Sequence, residues 1–371
     1  MSEHQVYEFK ALDGTLSAKD KEYVRGLSSR AKVSSNSAYF VYNYGDFRSK
    51  PQLLLDRCFD VMVYFASYGV RTVMLRFPKG SISERSLQPY TIDYLIETSS
   101  TEKSVILKLN IVSEDYYVWI DDDESWIDEL SELRAEILQG DLRSLYLSWL
   151  KAGLAEDAPP AAELMEPPIP PNLKKLSPAL DSLTKFFKID DDMIAIAAES
   201  SASKKAKKEP IADWIAALSE RDRNAYLLRV AQGETHVGAE LMQRLRKEFG
   251  STPKTNGVTT GRTFAEIIAL ADTQAEEREK KEKAAAEQLR KTYLQSLVPK
   301  VDRLWADVFR LIGYKQAKPY EEAVEILKDL KDVARMQGRS NQFRDRMAKL
   351  MSDYSSRSGL LRRIRNANLH D

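Results

Sequence analysis

Cysteine and histidine are nearly absent from this chain: 371 residues contain one cysteine and three histidines. A single thiol excludes an intramolecular disulfide and any zinc site that needs several thiolates. Cys58 sits among Leu54, Leu55 and Val61, which predicts a buried structural thiol rather than a nucleophile. His4 and His370 lie near the ends and His236 in a polar stretch, so none is placed to activate it. Glycine never gathers into a phosphate-cradling loop, and neither a G-x-S-x-G elbow nor an H-E-x-x-H pair occurs. Net charge is also missing, because 56 Lys and Arg balance 56 Asp and Glu. That balance argues against a surface built throughout for phosphate backbones, although local basic patches remain. No apolar run approaches the length of a membrane span, and MSEHQVYEFK lacks the pattern of a signal peptide. A soluble, cytoplasmic protein without a cofactor and without membrane contact is expected.

What is present is architecture. The stretch from Tyr39 to Pro78 combines aromatics, a helical pattern and a strand pattern in forty residues. Pro51 suits a first helical turn, and Leu54, Leu55, Cys58, Val61, Met62 and Phe65 follow at helical spacing, ending at Gly69. Val70 to Phe77 reads as a strand stopped by Pro78. Further strands are expected at Val6–Phe9, Tyr39–Tyr44, Tyr90–Glu97, Val105–Ile111 and Tyr116–Ile120. Ser17 is placed to cap a helix carrying Tyr23, Val24 and Leu27. Two amphipathic helices follow, one through Trp126, Leu130, Leu133 and Ile137, the other through Leu145, Tyr146, Trp149 and Leu150.

The expected class is α+β: an N-terminal α/β sheet domain followed by an all-α region with one long charged helix. The α/β domain spans 1–155, and a proline-rich linker, 156–172, either tethers or straps across its own protein. A small helical bundle occupies 173–250, where Glu220 to Gln232 carries Tyr226, Leu227, Leu228 and Val230. A second linker covers 251–262. Thr263 then caps a long helix, 263–313, whose middle, Thr273 to Lys283, has almost nothing apolar and which Pro299 kinks or restarts. A helical hairpin with a basic tail closes the chain at 314–371.

Two resemblances attach to quoted segments. YEFKALDGTLS, LSSRAKVS, YNYGDF, DRCFDVMVYFASYGVR and LRFPK together resemble an uncharacterised group of bacterial proteins sharing this N-terminal domain. That resemblance implies a common domain and no particular activity. The closing segment from Tyr320 to Leu369 resembles the helical tail of some bacterial SWIM zinc-finger proteins. The finger itself needs several cysteines and a histidine, so the resemblance implies a helical module that holds a partner, without zinc.

Three functional readings follow. The first is a non-enzymatic cytoplasmic interaction or scaffold protein, monomeric or weakly homodimeric, that joins protein partners through its α/β domain and C-terminal helices. The second is a nucleic-acid-binding accessory protein. Tyr42 and Tyr44 would stack on bases beside Arg48, with Arg71 and Arg76 candidates for the same surface, while Lys204, Lys205, Lys207 and Lys208 or the tail Arg357, Arg362, Arg363 and Arg365 would meet phosphates. The plainer reading of these residues is a half-core strand, a solvated loop and a helix that buries leucines with its arginines outward. The third is a metal-dependent enzyme using Asp121, Asp122, Asp123 and Glu124, with Glu114 and Asp115 nearby. Against it stands a loop that caps the helix starting near Trp126.

Overall fold

The computed structural model describes residues 4–43, 45, 47–116, 125–203, 209–232, 237–250 and 257–369. The protein is α+β and forms two compact units, Met1–Ala275 and Glu276–Asp371.

The first unit begins with β1 (Gln5–Lys10), α1 (Ala18–Leu27), β2 (Lys32–Val33), β3 (Ser37–Tyr42), α2 (Pro51–Cys58), β4 (Val61–Ala66), β5 (Val70–Pro78), α3 (Glu84–Leu87), β6 (Ile96–Ser100) and β7 (Ser104–Val112). The strands make one sheet in the order β2-β3-β1-β4-β5-β7-β6, every pairing antiparallel. Alternation sends Val6, Val63, Val73, Leu75, Leu107 and Leu109 into one core and Phe9, Phe40, Met62, Met74 and Ile106 into another on the opposite face. The second core is closed by Leu54 and Leu55 of α2 and Val24 of α1, whose Ser17 hydroxyl accepts the Asp20 N–H as expected.

The helix expected to run from Pro51 through Phe65 is corrected. It stops at Cys58, and Val61–Ala66 is a central strand with all six residues buried. A short run that is apolar on both faces carries no period to separate strand from helix, and Val61, Val63, Tyr64 and Phe65 are strand formers. Gly69, at φ +93°, makes the hairpin turn into β5 instead of ending a helix. The strand expected from Tyr90 starts only at Ile96, after a 3₁₀ turn at Gln88–Tyr90. Glu114–Tyr116 forms another 3₁₀ turn, and the rest of the strand expected there lies outside the described residues.

Helices α4 (Ile127–Leu138), α5 (Arg143–Ala152), α6 (Pro178–Phe186) and α7 (Asp191–Ser200) contribute to the first core. The N-cap of α4, Trp126, offers no side-chain oxygen to the first turn. Glu8 of β1 supplies it, accepting from the Trp126 N–H at 3.0 Å and from the Ser125 hydroxyl. Burial holds the Glu8 carboxyl above its ordinary value of 4.5, against the opposing pull of these bonds. A carboxyl raised on folding binds its proton more tightly folded than unfolded, so its contribution to stability is greatest at low pH and declines as pH rises from about 4.5 through the raised value. Glu8→Gln should therefore gain on the wild type across that window. Thermal midpoints of both chains from pH 4 to 7 check this, and a constant difference would contradict it.

The proline-rich segment is a strap. Ile169 is fully buried and exchanges backbone bonds with Val258 at 2.9 and 3.1 Å. The Glu166 N–H donates to the Arg262 carbonyl at 2.9 Å, and the Tyr90 hydroxyl to that of Pro168 at 2.6 Å. Helices α8 (Ile211–Ala217), α9 (Glu220–Ala231) and α10 (Val237–Glu248) come next, and α11 (Phe264–Leu297) starts in the first unit. A capping box opens α11: Thr263 Oγ1 accepts from the Glu266 N–H at 3.3 Å, and the Thr263 N–H donates to the Glu266 carboxylate at 2.7 Å. Phe264 is buried, edge-on to Trp149 at 5.3 Å. A Cβ at Gly153 would lie 2.6 Å from the Phe264 ring, which is why the chain there needs glycine.

In the second unit the charged part of α11 is exposed and carries Glu276–Lys280 at 3.5 Å and Glu277–Lys281 at 3.9 Å, each with the acid N-terminal to the base. That orientation supports an isolated helix by about 0.3–0.5 kcal/mol per pair. Pro299 sits in a 3₁₀ turn, Val298–Lys300, after which α12 (Val301–Gly313) restarts the helix. Then α13 (Ala317–Met336), α14 (Ser340–Asp353) and α15 (Ser358–Asn366) pack with α12 around Val308, Ile312, Ala323, Leu327, Met347, Leu360 and Ile364. Among the described residues no helix is long and apolar enough to cross a membrane.

Candidate functional site

Tyr42 lies on the sheet face that carries the second core. Tyr42 of β3 is half-buried, edge-on to Tyr7 at 6.1 Å and to Phe47 at 6.2 Å, while Tyr7 and Phe47 stack at 4.8 Å. The Tyr7 and Tyr64 hydroxyls both donate to Gln5 Oε1, at 3.3 and 3.2 Å, and burial pushes the Tyr64 hydroxyl far up. Tyr42's hydroxyl has no partner among the described residues. Arg48 is exposed, and Tyr44 lies outside the described residues. The rings thus spend their faces on one another.

Arg71 and Arg76 do not join that surface. Arg71 is buried over the Tyr116 ring at 4.5 Å and donates to the Phe186 carbonyl. Arg76 donates to the Phe59 carbonyl at 2.7 Å and to Asp60 at 2.6 Å. Both are tied into the core, where alternation along β5 gave no warning of a charged partner. Cys58 is half-buried, and burial, the first cause, pushes its thiol up to about 12, so at neutral pH it stays protonated.

In the tail, Arg363 pairs with Glu321 at 2.9 Å and Arg357 donates to the Tyr320 hydroxyl at 3.2 Å. Arg362 and Arg365 are exposed, with Leu360 and Ile364 buried beneath the same helix. Lys204, Lys205, Lys207 and Lys208 and the acidic run Asp121–Glu124 lie outside the described residues. Among the described residues no group of His, Cys, Asp and Glu is arranged to hold a metal ion.

The feature that sequence reading missed is α9. Its apolar residues do not enter a bundle core: Leu227, Leu228 and Val230 are 65%, 58% and 59% exposed, and the helix has no buried residue. The inward stripe is polar instead. Asp222, Arg223, Tyr226 and Arg229, at helical spacing, are the half-buried positions. Asp222 accepts from Arg244 at 2.8 Å, Arg229 pairs with Glu240 of α10 at 2.8 Å, and Arg223 donates to the Ala216 carbonyl of α8 at 2.8 Å. Arg246 of α10 makes two bonds to Glu209, at 2.9 and 3.0 Å, and another to the Leu138 carbonyl. Ion pairs, then, hold α9 with its leucines outward. The signal available in sequence was the period of Asp222, Arg223, Tyr226 and Arg229 alongside mates at Glu240 and Arg244.

A second apolar patch lies in the other unit, where Leu289 and Tyr293 of α11 are 75% and 45% exposed and line an open groove with Ala286 and Arg290. Tyr293's hydroxyl donates to Asp329 at 2.7 Å, and Arg290 reaches Asp329 and Asp332 at 2.8 and 2.6 Å. No protein-family model, curated protein or solved structure matches this chain.

Proposed function

We propose that this chain is a non-enzymatic interaction protein of the cytoplasm, which joins protein partners through the leucine face of α9 in its first unit and the Leu289–Tyr293 face of α11 in its second. The observation that carries the reading is the inversion of α9. Apolar side chains of this size gain about 1.5–3 kcal/mol each on full burial, and here the polar side of the helix has been given the inward position. A face kept dry by a partner explains that exchange, since a helix serving only its own bundle would turn Leu227 and Leu228 inward. Alone, the chain is a monomer or a weak homodimer, because the exposed charged middle of α11 offers no continuous apolar seam.

The test is in-cell photo-crosslinking with a reactive amino acid at position 228, at natural abundance. One discrete adduct heavier than the chain is expected, absent when Leu227 and Val230 are replaced by Asp. Recovery of the uncrosslinked chain alone would contradict the proposal.

A further inference from the structure

The second unit gathers positive charge that the neutral total conceals. From residue 331 to the C-terminus the chain has ten Lys and Arg against four Asp and no Glu. At the corner where α13 turns into α14, Lys331, Arg335, Ser340, Phe343 and Arg344 line a cavity of about 230 Å³. Lys331 and Arg335 are one helical turn apart on α13, Ser340 and Arg344 one turn apart on α14, and Gly338, at φ +68°, reverses the chain between them. Phe343 is the buried floor.

None of the three cations is paired with a carboxylate among the described residues; Asp332, which follows Lys331, is committed to Arg290 at 2.6 Å. Lys331 gives one proton to the Asn368 carbonyl at 2.5 Å and Arg344 one to Asn341 Oδ1, which leaves each with further donors. Like charges one turn apart, as Lys331 and Arg335 are, oppose each other in a helix by a few tenths of a kcal/mol, and an anion between them would relieve that repulsion. Guanidinium forks present paired N–H groups to a phosphoryl group, and a neighbouring ammonium adds a point charge.

We propose that this cavity binds a phosphoryl group, and that its source is the phosphodiester backbone of a nucleic-acid strand. The positive surplus continues past the cavity: Arg339 is exposed in the same turn, and Arg365 is exposed one turn before Asn368, whose carbonyl Lys331 holds. A free phosphate would use the cavity alone, whereas a strand would meet those arginines as well. This site is independent of the α9 face and stands or falls separately from it.

The test is fluorescence anisotropy of a labelled single-stranded 20-mer with the full chain, titrated from 50 to 300 mM salt. Arg335→Glu with Arg344→Glu should weaken binding at least tenfold at 50 mM and flatten the log–log salt slope by about 1.4, near 0.7 for each phosphate no longer neutralised. Both residues are exposed, so the thermal midpoint should not move. Lys280→Glu with Lys281→Glu, on α11, should change binding less than twofold. Absence of binding at 50 mM, an unchanged slope in the arginine variant, or an equal loss in the lysine variant would overturn the proposal. Saturable binding of inorganic phosphate, abolished in the arginine variant, with no uptake of the oligonucleotide would overturn the phosphodiester source.

Discussion

Asp60→Ala is expected to cost the first unit about 3–5 kcal/mol, the range for removing one partner from a buried ion pair. Asp60 closes the link between α2 and β4, and its side chain is 3% exposed. Oδ2 accepts from the N–H groups of Leu12 and Asp13 at 2.7 and 3.2 Å, fixing the turn after β1. Oδ1 accepts from Arg76 at 2.6 Å and lies 3.5 Å from Arg134, whose side chain is 5% exposed. Arg134 itself spans to the Arg76 carbonyl at 2.7 Å and to Asp13. Alanine would take its carboxylate from Arg76 and the shared acceptor from the Leu12 and Asp13 amides, while Arg134 keeps Asp13, and the loss arises from the desolvation of the groups left behind more than from the bond itself. Asp60→Asn, which keeps an acceptor, should cost less. Arg76→Met added to Asp60→Ala should recover part of the loss, because the guanidinium that loses its carboxylate is then removed with it. Urea-dependent hydrogen exchange of the β1 and β4 amides reads the effect on this unit alone; a loss under 1 kcal/mol for Asp60→Ala would contradict the account.

Glu166→Ala should be comparably severe, on the order of 3–5 kcal/mol, and local in its consequence. The Glu166 side chain is completely buried within the strap, where Arg262 binds it bidentately at 2.9 and 2.8 Å. Tyr146 donates to the same carboxylate at 2.5 Å, and the Thr260 hydroxyl also donates to it. The carboxylate's hydrogen bonds hold Arg262 more firmly protonated, and burial, followed by the Glu166 charge, pushes the Tyr146 hydroxyl upward. Without the acid, the strap and the 257–263 segment lose their common anchor, while the strand pairings of the sheet and its second core, which the strap does not enter, are left in place. Limited proteolysis should therefore cut first within 158–171 in the variant, at a rate that rises well before the sheet unfolds. Simultaneous loss of strap and sheet at one midpoint would show that the strap is not a separate layer.

Which of these features could be read from sequence depends on how local their cause is. Ser17 and Thr263 announce their helices because a cap acts over three residues. The pattern of α5 is legible because Leu145, Tyr146, Trp149 and Leu150 repeat at the helical period and are buried. In β4 the pattern fails because the strand is covered on both faces, so nothing alternates. Glu166 and Arg262 stand 96 residues apart with no local sign of their pairing. In α9, Leu227 and Leu228 read as core by hydrophobicity, yet the mates of Asp222 and Arg229 come from α10, and those pairs decide which side faces inward. The tail is legible in outline, with Leu360 and Ile364 buried and Arg362 and Arg365 outside, but the cavity depends on the turn at Gly338 bringing two helices' cations together.

The leucine face of α9 is tested most directly by replacing Leu227, Leu228 and Val230 together with Asn and comparing two readings with the wild type. Because these side chains touch solvent and not a core, the purified variant should unfold within about 0.5 kcal/mol of the parent, while a protein recovered with the wild-type chain in constant proportion at natural abundance should be missing from the variant. A loss of several kcal/mol in the purified variant, or the same protein recovered in the same proportion with both chains, would contradict the assignment of α9 as a docking face.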